Sequence, residues 1–138
     1  LEIGFEENVT CFETDYGVWV NITTPNIKKI YQSGISEILS DGDLTLATLQ
    51  LNISGTADVS LSGQVGEQYI ISSGAINAEN FNFLSTNTEI DISGTADIEI
   101  SCSTNLDIEV DGTAKISYQG NPTISQEVSG ELNLINAN

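Results

Sequence analysis

The chain contains no histidine and no arginine, and its only cations are Lys28, Lys29 and Lys115. Without an imidazole, neither a Ser-His-Asp nor a Cys-His nucleophile can be assembled, and histidine-dependent zinc sites are excluded with them. Twenty acidic residues against three lysines leave a formal charge of −17. That balance excludes nucleic acid as a partner, because binding it relies on cations that neutralise phosphates. An anionic membrane surface repels the chain for the same reason. Long apolar runs are missing too: no stretch of about 18 residues could span a bilayer. No charged-then-apolar leader stands at Leu1, so the chain reads as a mature or trimmed product. No window carries apolar residues at i, i+3, i+4 and i+7, which argues against helices. Phosphate-cradling motifs are absent, since no Gly-rich loop leads into a helix.

What the chain has instead is a repeat. Ser33-Gly34, Ser54-Gly55, Ser73-Gly74, Ser93-Gly94, Asp111-Gly112 and Ser129-Gly130 interrupt apolar-alternating runs, with glycines 21, 19, 20, 18 and 18 residues apart. A period near 20 is the mark of a coil in which each turn repeats the last. With glycine as origin, position −4 holds Ile30, Leu51, Ile70, Ile90, Ile108 and Gln126, and −2 holds Gln32, Ile53, Ser72, Ile92, Val110 and Val128. Position +2 holds Ser36, Ala57, Ile76, Ala96, Ala114 and Leu132, and +4 holds Ile38, Val59, Ala78, Ile98, Ile116 and Leu134. Alternate residues of a strand share a face, so the even offsets form the interior. Two short strands thus meet at each glycine, where the missing Cβ relieves crowding or allows positive φ. Leu44, Leu46, Phe81, Phe83 and Ile124, between the glycines, supply a third wall.

These patterns predict an all-β chain folded as a right-handed single-stranded parallel β-helix with about 18–21 residues per rung. An antiparallel sandwich also has short alternating strands and frequent turns. It has no reason to repeat its corner every 20 residues. The 138 residues suit one domain, with residues 1–30 as N-terminal strands capping the solenoid and residues 31–138 as its rungs. The far end, Leu134 to Asn138, leaves an open edge that invites self-association through end rungs. Cys11 falls in the cap and Cys102 past the fourth corner, several rungs away, so two separate buried thiols are expected rather than a disulfide.

One outward ladder stands out, three residues after each glycine: Glu37, Asp58, Asn77, Asp97, Lys115 and Asn133. The bland reading is a charged outer face that keeps a sheet-rich rod soluble. The sharper reading is a ligand-binding ladder. Asp58 and Asp97 are two rungs apart, roughly 9–10 Å, near the upper limit for an inverting glycosidase pair. Oxygens on adjacent rungs are also hard ligands suited to Ca2+, but one per rung is sparse. Asp41-Gly42-Asp43 reads as a turn rather than a calcium loop. No catalytic residue, no metal ligand set and no cofactor is therefore assigned. Among the aromatics Tyr16, Trp19, Tyr31, Tyr69 and Tyr118, the pair Trp19 and Tyr31 could stack on a sugar or a peptide side chain, or serve the cap.

The run Val18-Trp19-Val20-Asn21-Ile22-Thr23-Thr24-Pro25-Asn26-Ile27-Lys28-Lys29-Ile30, followed by Ile-Ser-Gly-Thr-Ala-Asp-Val/Ile at 53–59 and 92–98, resembles the head GIN domain family of auto-transporter adhesins. The likeness covers residues 18 to about 135. It implies a parallel β-helix in the cell envelope of a Bacteroidetes-type Gram-negative bacterium: periplasmic, anchored in the outer membrane or extracellular. The family carries no set of functional residues to transfer. Together, ladder and resemblance predict a non-catalytic binding or adhesion module that presents flat polar walls to a glycan or a protein. The alternatives are a carbohydrate-active hydrolase using Asp58 and Asp97 and a structural subunit of a surface assembly.

Overall fold

The computed structural model describes residues 20–24 and 26–138, and every regular element among them is a strand. β1 (Lys29–Gln32) and β2 (Ile35–Leu39) make the first turn, and β3 (Leu44–Ile53) and β4 (Thr56–Ser60) the second. β5 (Gly63–Ser72) leads into the long β6 (Ala75–Ile92) and β7 (Thr95–Val110). β8 (Thr113–Gln119), β9 (Thr123–Val128) and β10 (Glu131–Asn136) complete the chain. All nine pairings are parallel, and each strand lies on its equivalent from the turn before. The result is a β-solenoid of about six turns, the parallel β-helix that the repeat predicts. The antiparallel sandwich falls, because none of these pairs runs antiparallel.

Register follows the glycine offsets residue for residue. Ile30, Leu51, Ile70, Ile90, Ile108 and Gln126 partner one another in succession. So do Ser36, Ala57, Ile76, Ala96, Ala114 and Leu132 on the other side of the corner. Their side chains fill the interior: Leu51, Ile70, Ile90, Ile98 and Ile116 are fully buried. Each such aliphatic side chain contributes roughly 1.5–3 kcal/mol by leaving water. Because a one-residue slip would turn every apolar column outward, the interior fixes the register as well as the stability.

The corners show which glycine property matters. Of the six, Gly34 alone has positive φ, 84°. At the others the constraint is the turn below: a methyl built on Gly74 would overlap the carbonyl oxygen of Gly55, and one on Gly94 that of Gly74. Hydrogen bonds run straight through the corner, with the Ala75 amide donating to the Gly55 carbonyl and the Thr95 amide to the Gly74 carbonyl, both at 2.9 Å. Crowding between stacked peptides selects glycine there.

Turn length is also explained. Phe81, Asn82 and Phe83 have no partner in the next turn, where pairing resumes at Leu84 with Ser101, and that turn inserts one residue of its own before Asn105. The net excess of two residues is the difference between the 20-residue and 18-residue glycine spacings. Phe83 turns inward and is fully buried, whereas Phe81 is half-buried in the excursion, so the two do not form one continuous wall.

A third inward column contains an oddity: Leu49, Gln68, Thr88, Leu106 and Ile124 lie in register, and Gln68 is 1% exposed. Neither its Nε2 nor its Oε1 has a hydrogen-bond partner. An unpaired buried amide costs about 1–3 kcal/mol, while leucine already occupies two positions of this column. Gln68→Leu is expected to stabilise the fold by a similar amount, read as a higher urea midpoint at unchanged m-value. A lower midpoint would contradict the account.

Before β1, residues 20–24 and 26–28 lie outside any strand, and Val20 and Ile22 are about half exposed. Their alternation predicts a strand, yet no ladder pairing forms there among the described residues. Thr24 instead makes a local turn, accepting from the Asn26 amide at 3.4 Å and donating to its carbonyl at 3.2 Å. Most of the expected cap, residues 1–19, lies outside the described residues. At the other end, β9 and β10 pair on one side only among the described residues, leaving Leu132 and Leu134 half-buried.

Candidate functional site

Outward residues three past each corner come from β2, β4, β6, β7, β8 and β10. Glu37, Asp58, Asn77, Asp97, Lys115 and Asn133 are consecutive register partners, and all six are exposed. Neighbours in the ladder bond where their chemistry is complementary. The Asn77 amide donates to Asp58 Oδ1 at 3.1 Å, and Lys115 Nζ donates to Asp97 at 2.9 and 3.1 Å. The ion pair is about half exposed, so it orders the surface more than it stabilises the fold, at most about 1 kcal/mol.

Beside the ladder runs a second outward column, one residue past each glycine, of Ile35, Thr56, Ala75, Thr95, Thr113 and Glu131. Between the two columns lies a shallow trough of about 440 Å³. Its rim alternates hydroxyl, amide, carboxylate and ammonium groups at the rung interval of about 4.8 Å. The threonine column is an addition to the sequence reading, and its signal is the recurring Gly-Thr-Ala at 55–57, 94–96 and 112–114.

For hydrolysis the geometry offers little. Asn77 separates Asp58 from Asp97, and each carboxylate lies exposed and already bonded to a ladder neighbour. A glycosidase acid instead needs a site shaped to hold it protonated. Among the described residues no three acidic or cysteine side chains converge to hold a metal. Asp41-Gly42-Asp43 is an exposed bend with Gly42 at φ 93°. Cys102 is fully buried, its thiol donating to the Asn105 carbonyl at 3.0 Å; Cys11, Tyr16 and Trp19 lie outside the described residues. Among the described residues no helix is long and apolar enough to cross a membrane.

The adjacent wall, formed by the strands that precede each glycine, has a different character. Its later turns present Glu89, Asp91, Asp107, Glu109 and Glu127 outward. On an earlier turn the Tyr69 hydroxyl donates to Glu67 Oε2 at 3.3 Å. The Glu67 charge, followed by desolvation and this bond, raises the Tyr69 phenol above 10.0. A raised folded-state value favours the neutral phenol, so its contribution to stability is present below pH 10.0 and is lost as pH rises through the raised value. Glu67→Gln should move one phenolate transition to lower pH in an ultraviolet absorbance titration. An unchanged curve would contradict the assignment.

The first turns of this wall carry a larger trough, about 1030 Å³, between the 20–28 segment and the serine corners. Tyr31, 73% exposed, lies on it, as do Lys28 and Lys29.

Comparison with curated proteins and with solved structures returns no match. The family model described as "Putative auto-transporter adhesin, head GIN domain" matches residues 1–122. The matched residues include the first four ladder positions and Lys115, and the description points to a bacterial surface protein and names adhesion rather than a reaction. The chain therefore belongs to the head GIN domain family of auto-transporter adhesins.

Proposed function

We propose that the chain is a non-catalytic adhesion module that acts in the periplasm, on the outer membrane or outside the cell, and uses a flat polar wall to hold a glycan or a protein surface. The observation that carries this reading is the unbroken register from Glu37 to Asn133, with the threonine column beside it. A stiff sheet that repeats donors and acceptors at fixed intervals suits a ligand that is itself repetitive. Each contact is weak, and several on one rigid support add through effective concentration. Asp58, Asn77, Asp97 and Lys115 are already ordered by their neighbours, so less conformational entropy is lost there on binding.

No cofactor enters this reading, and calcium would act, if at all, as a bridge between ladder oxygens and ligand. A glycan array together with a pull-down from envelope extract tests it. The expected result is retention of a repetitive neutral or polar glycan, or of one envelope protein, weakened several-fold by the pair Asp58→Asn and Asp97→Asn. Silence in both assays removes the adhesion claim. Release of reducing ends that is lost with the same substitutions would favour the hydrolase instead. A mass in solution that rises with concentration would favour the structural subunit joined through end rungs.

A further inference from the structure

Two of the three lysines of a chain with charge −17 lie together at one place, Lys28 and Lys29 on the wide trough of the first turns. Around them the wall has an unusual composition. Position −3 runs Tyr31, Asn52, Ile71 and then Asp91, so its first three turns carry no acid before the carboxylates begin. The corner serines Ser33, Ser54, Ser73 and Ser93 are exposed along the trough, one per turn.

Gln32 is 8% exposed and lines the trough, and its Nε2 is committed to the Gly34 and Thr56 carbonyls at 2.9 and 3.2 Å. Its Oε1 has no partner among the described residues. That oxygen is itself buried, so Gln32 braces the corner beneath the trough and is not a ligand group. The trough therefore offers two cations, a row of hydroxyls, an exposed aromatic ring and, at its far end, Asp91.

We infer that this trough binds an acidic, uronate-bearing oligosaccharide, with Lys28 and Lys29 holding sugar carboxylates and the serine row meeting sugar hydroxyls. Tyr31 supplies an apolar face for a ring, and Asp91 accepts from a hydroxyl at the fourth turn. An acidic peptide fits less well, because adding it as a strand to β1, which pairs only with β3 among the described residues, would leave the serine row unused. Here the corner amides are already used: Ser54, Ser73 and Ser93 donate to Gln32, Ile53 and Ser72 carbonyls at 2.9–3.0 Å. A nucleic acid or a lipid surface would need far more than two cations to overcome the remaining charge. The inference goes beyond the ladder reading above, because the trough lies on the adjacent wall and shares no residue with the ladder.

Calorimetric titration of the full chain with trigalacturonic acid, its methyl ester and a Glu-rich heptapeptide tests the point, with a chelator present so that calcium bridges play no part. The acid should bind, and its affinity should fall with salt. The neutral ester should bind about tenfold more weakly or worse, as loss of charge-assisted bonds implies. Lys28→Ala with Lys29→Ala, both at exposed positions, should cost the acid about tenfold. Glu127→Gln, at an exposed position of the last turn outside the trough, should leave it unchanged. Equal binding of acid and ester, an unaffected lysine variant, or a peptide that binds as well as the sugar would each overturn the inference. So would absence of binding by the full chain. If the trimer fails while a neutral glycan still binds through Asp58 and Asp97, the trough assignment falls and the adhesion reading stands.

Discussion

Gly94→Ala should destabilise the rod by about 3–5 kcal/mol, the upper range for one substitution. The added methyl would overlap the Gly74 carbonyl oxygen and crowd the Ser73 carbonyl oxygen. Neither atom belongs to a flexible side chain. The Gly74 oxygen accepts from the Thr95 amide at 2.9 Å, so moving it breaks the ladder on which the next strand is laid. Gly34→Ala is the control. There a methyl meets nothing within 4 Å, and the cost is that of φ 84° alone, about 1–2 kcal/mol. Thermal melts separate the two, since for a chain of this size about 1 kcal/mol moves the midpoint by several degrees. Equal losses at both positions would mean that backbone conformation, not peptide stacking, selects glycine at the corners.

That contrast also marks how far the sequence could be read. Aligning on glycine identifies the stacked columns on both sides of the corner, because an inward aliphatic position recurs where a like side chain lies above and below it. Leu51, Ile70 and Ile90 form one such column, and Val59, Ala78 and Ile98 another. The ladder from Glu37 to Asn133 follows from the same alignment, since outward positions inherit the register of inward ones. The alignment could not say why each corner is glycine, because crowding by the turn below and positive φ leave the same letter. Nor could it foresee the excursion at Phe81 to Phe83, where a longer turn still reads as alternating. The two troughs were legible only in part. Lys28 and Lys29 are conspicuous in composition, but their meeting with the serine corners depends on the path of residues 20–24 and 26–28, which lie outside any strand.

The second large effect tests the stacking itself. Ile90 is fully buried between Ile70 and Ile108, and Ile90→Ala should cost about 2–5 kcal/mol, the sum of lost transfer energy and the cavity left behind. A domain commonly has about 5–15 kcal/mol in total, so the loss is a large share. In the same column Gln126 occupies the last turn, exposed, with a strand on one side only among the described residues. Gln126→Ala should change stability by no more than about 0.5 kcal/mol. A solenoid gains stability from each turn and from its contacts with neighbouring turns, so position along the rod, rather than residue type alone, sets the cost. Urea unfolding of both variants and of Ile30→Ala, half-buried in the first turn, should therefore rank Ile90 above Ile30 and Ile30 above Gln126. A ranking in which Ile30 exceeds Ile90 would contradict a core built from turns stacked in one continuous column.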